Sequence, residues 1–83
     1  MTTEAYDAKG TKYKIGMEAI LGKDINKWYI TGIELGDDGK VSKLYFINNK
    51  LNEMEQLTST RNIKLTGYFR PEFVKIAKEL DKR

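Results

Sequence analysis

The chain has 83 residues, and its 15 Lys and Arg residues against 12 Asp and Glu residues give a net charge of +3. Hydrophobic residues make up 40% and charged residues 33%, a balance typical of one small soluble domain rather than of a disordered chain. The sequence contains neither Cys nor His, which excludes disulfides, thiolate nucleophiles, and metal or acid–base sites built on His. We therefore expect a protein that binds a partner, that is not an enzyme, and that uses no cofactor or metal.

The hydropathy pattern indicates neither a membrane segment nor a secretory signal. No apolar run approaches the roughly 20 residues that cross a bilayer. No basic segment followed by an apolar stretch opens the chain. We expect a cytoplasmic protein with no membrane partner. Residues 1–83 are predicted to form a single domain in which residues 1–3 are frayed.

Short β-rich runs alternate with turns in the first part of the chain. Residues 7–10 begin with Asp and end with Gly, as many turns do, and they separate Glu4–Tyr6 from residues 11–15. A compact apolar run, Met17–Leu21, follows, and residues 22–24 predict another loop. The first part of the chain is therefore predicted to be β-structure.

The clearest pattern in the sequence is a predicted β-hairpin. Two β-rich runs, residues 27–35 and Val41–Asn48, lie on either side of the polar turn 36–40. The acidic residues in this turn lack the alternating ligand spacing of a calcium loop. The turn is therefore interpreted as a hairpin connection rather than as a cation site.

The first strand of this hairpin has apolar residues on both faces. Strict alternation puts Trp28, Ile30 and Gly32 on one face, and Tyr29 and Ile33 on the other. We therefore expect both faces to be covered for part of the length of the strand. Gly32 inside the strand predicts a bend, a bulge or a close approach of another group to the backbone.

The pattern weakens after the hairpin and becomes helical at the C-terminus. Residues 51–58 fit either a third strand of the meander or a helical turn, and residues 63–66 fit a short strand that Gly67 ends. Apolar residues at helical spacing predict a helix over residues 71–80. The basic residues 82–83 would lie at its end, where the helix dipole favours cations.

These runs resemble a known class of small barrel. Residues 13–21, 28–33 and 44–47 are similar to the first three strands of SH3-like barrels of the KOW and Tudor kind, and the polar corner 59–62 is similar to the turn before their last strand. The resemblance implies a mainly β (α+β) fold, a five- to six-stranded antiparallel barrel over residues 4–66 followed by the C-terminal α-helix. It also implies a platform that binds peptides, protein surfaces or nucleic acid. The chain further resembles small accessory proteins of bacteriophages and mobile elements.

Aromatic residues lie next to basic ones at several places in the chain. This pattern fits a nucleic-acid surface, in which rings stack on bases and cations lie near phosphates. It also fits a core built of rings, with the Lys side chains on the solvent face, and a domain this small needs aromatic residues for core volume. Residues 56–71 contain three basic residues and no acidic one. The candidate partner-binding residues are Trp28, Tyr45, Arg61, Lys64, Tyr68 and Arg70.

Two hypotheses of function follow. The first is a non-enzymatic binding module that acts through protein–protein contacts, by self-association as a homodimer or by inhibition of a host protein. Its contacts would be exposed aromatic residues such as Trp28 and Tyr45, although Trp28 could instead pack beneath the helix. The alternative is a nucleic-acid-binding barrel, in which the basic residues of 56–71 contact phosphates while Tyr68 and Tyr45 stack on bases. The apolar face of the helix would either contact a partner or pack on its own sheet.

Overall fold

The β-rich runs form seven strands and the C-terminal amphipathic run forms one helix, in a computed structural model that describes residues 2–81. The prediction for residues 82–83 lies outside these described residues. The elements are β1 (Glu4–Tyr6), β2 (Lys12–Lys14), β3 (Met17–Leu21), β4 (Trp28–Leu35), β5 (Val41–Asn48), β6 (Met54–Leu57), β7 (Ile63–Phe69) and α1 (Glu72–Asp81).

The strands form two antiparallel sheets. β1 and β2 form a two-stranded sheet, and the other strands form a five-stranded sheet in the order β6-β5-β4-β3-β7. The chain therefore runs as a meander from β3 to β6, and β7 then returns to pair with β3. Within the described part of the chain β6 and β7 do not pair with each other, so no closed barrel is detected. The predicted mainly β class with a C-terminal helix is confirmed.

The first sheet is held by a buried carboxylate in its turn. Asp7 is 6% exposed and accepts hydrogen bonds from the backbone N–H groups of Lys9 and Thr11, each at 2.9 Å. The Tyr13 hydroxyl also donates to it at 3.3 Å. The predicted turn is thus present, as expected for an Asp that bonds its own backbone. The Thr3 carbonyl accepts from the Ile15 N–H at 2.9 Å, which joins the segment before β1 to the segment after β2.

A bulge in β4 changes which side chains reach the core. The register with β5 shifts by one residue between Ile30 and Gly32, so Thr31 is an extra residue. Because side chains alternate along a strand, the extra residue brings Ile33 to the same face as Trp28 and Ile30. All three lie in one hydrophobic cluster. The bulge beside Gly32 was expected, but the strict alternation predicted beyond it is wrong.

Two hydrophobic clusters lie on opposite faces of β4. The larger contains buried residues of the first five strands and of α1, and its largest fully buried side chains are those of Phe46, Ile15, Ile30 and Leu44. The smaller contains Tyr29, Ile47 and Phe73. Since the two clusters share strands, the strands are covered on both faces where the helix packs, as the mixed faces of the hairpin predicted.

The last strand is longer than predicted. β7 continues through Gly67 to Phe69, so the expectation that Gly67 ends the strand is wrong. Residues 66–68 of β7 face the single residue Glu18 of β3, and this bulge lets the strand continue past the glycine. The paired region therefore extends beyond residue 66.

Two other boundaries also differ from the predictions. Of the predicted run 51–58, only Met54–Leu57 is a strand, and it pairs with β5, which decides against a helical turn. The helix begins at Glu72, one residue after Pro71, and ends at Asp81. Phe73 and Ala77 are its buried residues, so its apolar face packs on its own sheet.

Gly16 connects β4 to the segment before the helix. Its N–H donates to the Ile30 carbonyl at 2.9 Å, and its carbonyl accepts from the Arg70 N–H at 2.8 Å. Its φ of 99° lies in the region that side chains rarely adopt. A Cβ at this position would lie 2.8 Å from Phe69 Cε1 and 2.9 Å from the Arg70 carbonyl oxygen. Only glycine allows both the conformation and the contact.

We expect Gly16→Ala to destabilise the protein more than Gly10→Ala, the matched control. Gly10 has a similar φ of 88°, but no atom lies within 4 Å of its added Cβ. Gly10→Ala should therefore cost only the conformational strain, about 1–2 kcal/mol. Gly16→Ala should cost roughly 1–3 kcal/mol more, because its methyl group collides with backbone. Urea denaturation followed by Trp28 fluorescence measures both, and equal losses would contradict the argument.

Candidate functional site

A groove of about 370 Å³ lies between the C-terminal part of α1 and the strands β4, β5 and β6. We call it the helix groove. Its apolar side chains include Met54, which is 57% exposed, and the half-buried Leu80. Its acidic side chains are the exposed Glu34 and Asp81. The groove thus combines an uncovered apolar surface with negative charge, as binding sites with a few polar groups do.

The β4 bulge and a tyrosine ring form the floor of the helix groove. A Cβ at Gly32 would lie 2.9 Å from Tyr45 Cδ2, so the glycine lets the ring lie against the β4 backbone. The Tyr45 hydroxyl donates a hydrogen bond to the Glu34 carboxylate, and Lys43 Nζ lies 5.7 Å from the centre of the ring. These contacts hold the half-buried Tyr45 in one position.

Tyr29 contacts the first turn of α1, the helix whose C-terminal part forms one wall of the groove. Its ring stacks on Phe73 of the helix, with ring centres 4.0 Å apart and planes at 15°. The Tyr29 hydroxyl donates to Glu18 Oε2 at 2.7 Å. Arg70, which precedes the helix, lies 5.6 Å from the Tyr29 ring and pairs with Glu72. The first turn of the helix is therefore fixed on the sheet by stacking, charge and hydrogen bonding together.

Glu18 is a buried carboxylate at the centre of this network. It is 7% exposed and accepts a second hydrogen bond at 2.7 Å from the Thr66 hydroxyl, in the β7 bulge. Burial raises the pKa of the Glu18 carboxyl, but the hydrogen bonds from Tyr29 and Thr66 outweigh it and leave the pKa below its ordinary value. Burial and the neighbouring carboxylate raise the pKa of Tyr29. The charged carboxylate thus connects β3, β4 and β7.

The structure places Trp28 in the core. Trp28 is 2% exposed and lies in the larger cluster, which also contains Ala77 of the helix. Its Nε1–H donates to Asp24 Oδ2 at 3.1 Å. The expectation that Trp28 is an exposed partner contact is therefore wrong, because core volume and the Asp24 acceptor account for the whole side chain.

Four of the other predicted site residues are spread along β7 and its two ends. Lys64 is exposed, Tyr68 is 66% exposed, and the exposed Arg70 is engaged by Glu72. Arg61 is exposed in the corner before the strand, where its N–H donates to Ser59 Oγ at 3.2 Å. That bond is the local capping that such polar segments commonly make. Tyr45 lies apart from this group, since β3 and β4 separate β5 from β7.

The sequence analysis missed the two features that define the site. Nothing in the sequence indicates that Glu18 is buried in a hydrogen-bond network. Its partners Tyr29 and Thr66 lie on other strands and are known only from the structure. Met54 and Leu80 lie far apart in sequence, and they line the same groove because α1 packs on the sheet. Gly32 is the one available signal: it predicts a bulge or a close approach to the backbone, and both are present, but it does not predict a groove.

Comparisons with protein-family models, with curated proteins and with solved structures found no match to this chain. Across residues 2–81, α1 does not combine the length and the apolarity that a membrane-crossing helix requires. The same residues contain no group of three or more carboxylates placed to hold a metal ion.

We expect the stability contributed by Glu18 to depend on pH. Because its pKa is lowered in the folded protein, the contribution is complete above the ordinary carboxyl pKa and is lost as the pH falls through the lowered pKa. Glu18→Gln should lower the free energy of unfolding by about 1–2 kcal/mol at pH 7 and by much less at pH 3. Urea titrations at both values measure the difference between variant and wild type.

Tyr29→Phe is the companion variant, since it removes one donor to Glu18 and keeps a ring opposite Phe73. It should show the same trend with a smaller amplitude. A loss in Glu18→Gln that is as large at pH 3 as at pH 7 would mean that the network does not stabilise the charged carboxylate.

Proposed function

We propose that the protein is a non-enzymatic binding module that holds a protein partner in the helix groove, on an SH3-like barrel that is open between β6 and β7. The strand order supports the fold proposal, because β7 returns to the first strand of the meander. The register shifts along β4 and β5 support it as well, since bulges bend strands and curve a sheet.

The observation that carries the functional proposal is the uncovered apolar surface of the helix groove. A volume of about 370 Å³ falls within the range of sites that accept a few side chains of a partner. Met54 is more than half exposed there, and a methionine adapts its shape to different apolar partners. Methionine is also enriched in protein interfaces relative to the rest of the protein surface.

The polar groups of the groove support binding rather than catalysis. Its ionisable side chains are Glu34, Tyr45 and Asp81. The Tyr45 hydroxyl donates a hydrogen bond to Glu34. Exposed carboxylates do not form a desolvated pair in which two different pKa values give one acid and one base. Their negative charge would instead select a partner with basic residues, as charge complementarity does in other interfaces. Inhibition of a host protein and self-association are both uses of such a site.

We expect Met54→Lys to weaken partner binding and Leu51→Lys to preserve it. Both residues are exposed, at 57% and 51%, but only Met54 lines the groove. The tagged protein is used to capture partners from its source cell, and the affinity of a captured protein is then measured for each variant. The expected loss for Met54→Lys is at least tenfold, or about 1.4 kcal/mol. Equal affinities for the two variants would place the interface elsewhere.

A second candidate function, nucleic-acid binding on β7, is favoured by one observation. The bulge at 66–68 accompanies a Tyr68 that is 66% exposed, in a segment that carries basic residues and no acidic one. An exposed ring beside cations is the arrangement on which single-stranded bases stack. Lys14 Nζ lies 4.7 Å from the centre of the neighbouring Phe69 ring, so a further cation lies beside the end of β7.

We expect this second function, if present, to depend on Tyr68 and on salt. Tyr68→Ala should weaken binding of single-stranded RNA or DNA about 5- to 150-fold. Lys64→Ala should reduce the log–log salt slope by about 0.7–0.9. Lys75→Ala, on the exposed face of α1, is the matched control and should change neither. Fluorescence anisotropy with labelled oligonucleotides measures all three, and no affinity at about 50 mM salt would eliminate the function.

A further inference from the structure

The loop between β3 and β4 presents an isoleucine almost entirely to solvent. Ile25 is 92% exposed, the highest value among the large hydrophobic side chains of the described residues. Ile is among the residue types that are most often buried. The side chain is therefore available to a second surface without any rearrangement of the core.

The loop is held in place on both sides of Ile25. Asp24 Oδ1 accepts from the Asn26 N–H at 2.9 Å, and Asp24 Oδ2 accepts from the buried Trp28 Nε1–H at 3.1 Å. The Lys27 carbonyl accepts from the Asn49 N–H at 3.0 Å. A loop that is already ordered loses little conformational entropy on binding, so these bonds preorganise the position in which Ile25 is presented.

The charges of the loop and of the helix groove are opposite. Exposed Lys23 and Lys27 lie on either side of Ile25 in the loop. The one carboxylate of the loop, that of Asp24, is half-buried and bonded within the molecule. The groove contains the exposed carboxylates Glu34 and Asp81 beside its apolar side chains. An apolar side chain between two cations thus matches an apolar groove with two carboxylates.

The loop does not occupy the groove of its own molecule. Ile25 is 92% exposed, and no described residue of the β3–β4 loop lines the groove. The hydrogen bonds of Asp24 and Lys27 hold the loop in that position. The groove that matches the loop is therefore that of another copy.

We propose that a second copy of this chain inserts its β3–β4 loop into the helix groove. The proposal rests on the function proposed above for the groove. Ile25 of one copy packs against Met54 and Leu80 of the other, and Lys23 and Lys27 lie beside Glu34 and Asp81. One loop buries less than a standard interface, so we expect a dissociation constant on the order of 0.1–1 mM.

The test uses two variants that each lack one half of the contact. Ile25→Asp removes the apolar side chain of the loop and leaves the groove intact. The double variant Met54→Lys/Asp81→Lys replaces one apolar and one acidic residue of the groove by cations and leaves the loop intact. All three positions are exposed, so both variants should keep the urea midpoint of the wild type. Leu51→Asp, which changes an exposed apolar residue outside both surfaces, is the control.

The mass of the protein in solution is measured by analytical ultracentrifugation at concentrations between about 10 μM and 1 mM. Wild type and Leu51→Asp should gain mass with concentration, less so as salt is raised, and each contact variant should remain a monomer. An equimolar mixture of the two contact variants should form a 1:1 heterodimer, because one intact loop then meets one intact groove. In spectra of ¹⁵N-labelled Ile25→Asp, adding the unlabelled double variant should shift the amides of Gly32, Tyr45 and Leu80.

A monomeric wild type at about 1 mM, a mixture that stays monomeric, or Ile25→Asp that associates like wild type would each overturn the proposal. A wild type that stays monomeric but captures another protein through Met54 rejects only self-association and leaves the function of the groove standing. If Met54→Lys changes neither self-association nor capture, both proposals fail.

Discussion

The arrangement of this fold depends on the contacts of one side chain, Tyr29. Its ring stacks on Phe73 and its hydroxyl donates to the buried Glu18, which also accepts from Thr66 in β7. A single residue of β4 thereby connects β3, β7 and the helix. A ten-residue helix is marginal in isolation, so these contacts are what place α1 on the sheet. The helix groove exists because the helix is fixed there.

The second constraint is the extra residue in β4. A strand of eight residues in perfect alternation would bring only every other side chain to the core. The bulge at Thr31 returns Ile33 to the core face and leaves Gly32 open against the Tyr45 ring. One local irregularity thus completes the larger hydrophobic cluster and forms the floor of the groove. Packing and the candidate site therefore share one cause.

Local chemistry in the sequence was sufficient for most elements. Turn residues and apolar spacing act over a few residues. They predict the turn at Asp7, the hairpin around residues 36–40 and the C-terminal helix, and all three are present. Gly67 misled the prediction, because β7 accommodates it in a bulge opposite Glu18. Trp28 also misled it, since an exposed and a buried tryptophan look the same in sequence. Its burial depends on strands that pair across the sheet.

The sequence by itself determined the class of the protein: a small, mainly β chain with a C-terminal helix and with no Cys or His for nucleophilic or metal chemistry. Tertiary structure alone decided which surfaces are available to a partner. Met54 and Leu80 come together only when the helix docks, and Trp28, whose indole bonds the loop residue Asp24, is buried in a cluster of residues from several strands. These facts depend on contacts between residues distant in sequence, and no local pattern of propensity or hydropathy encodes such contacts.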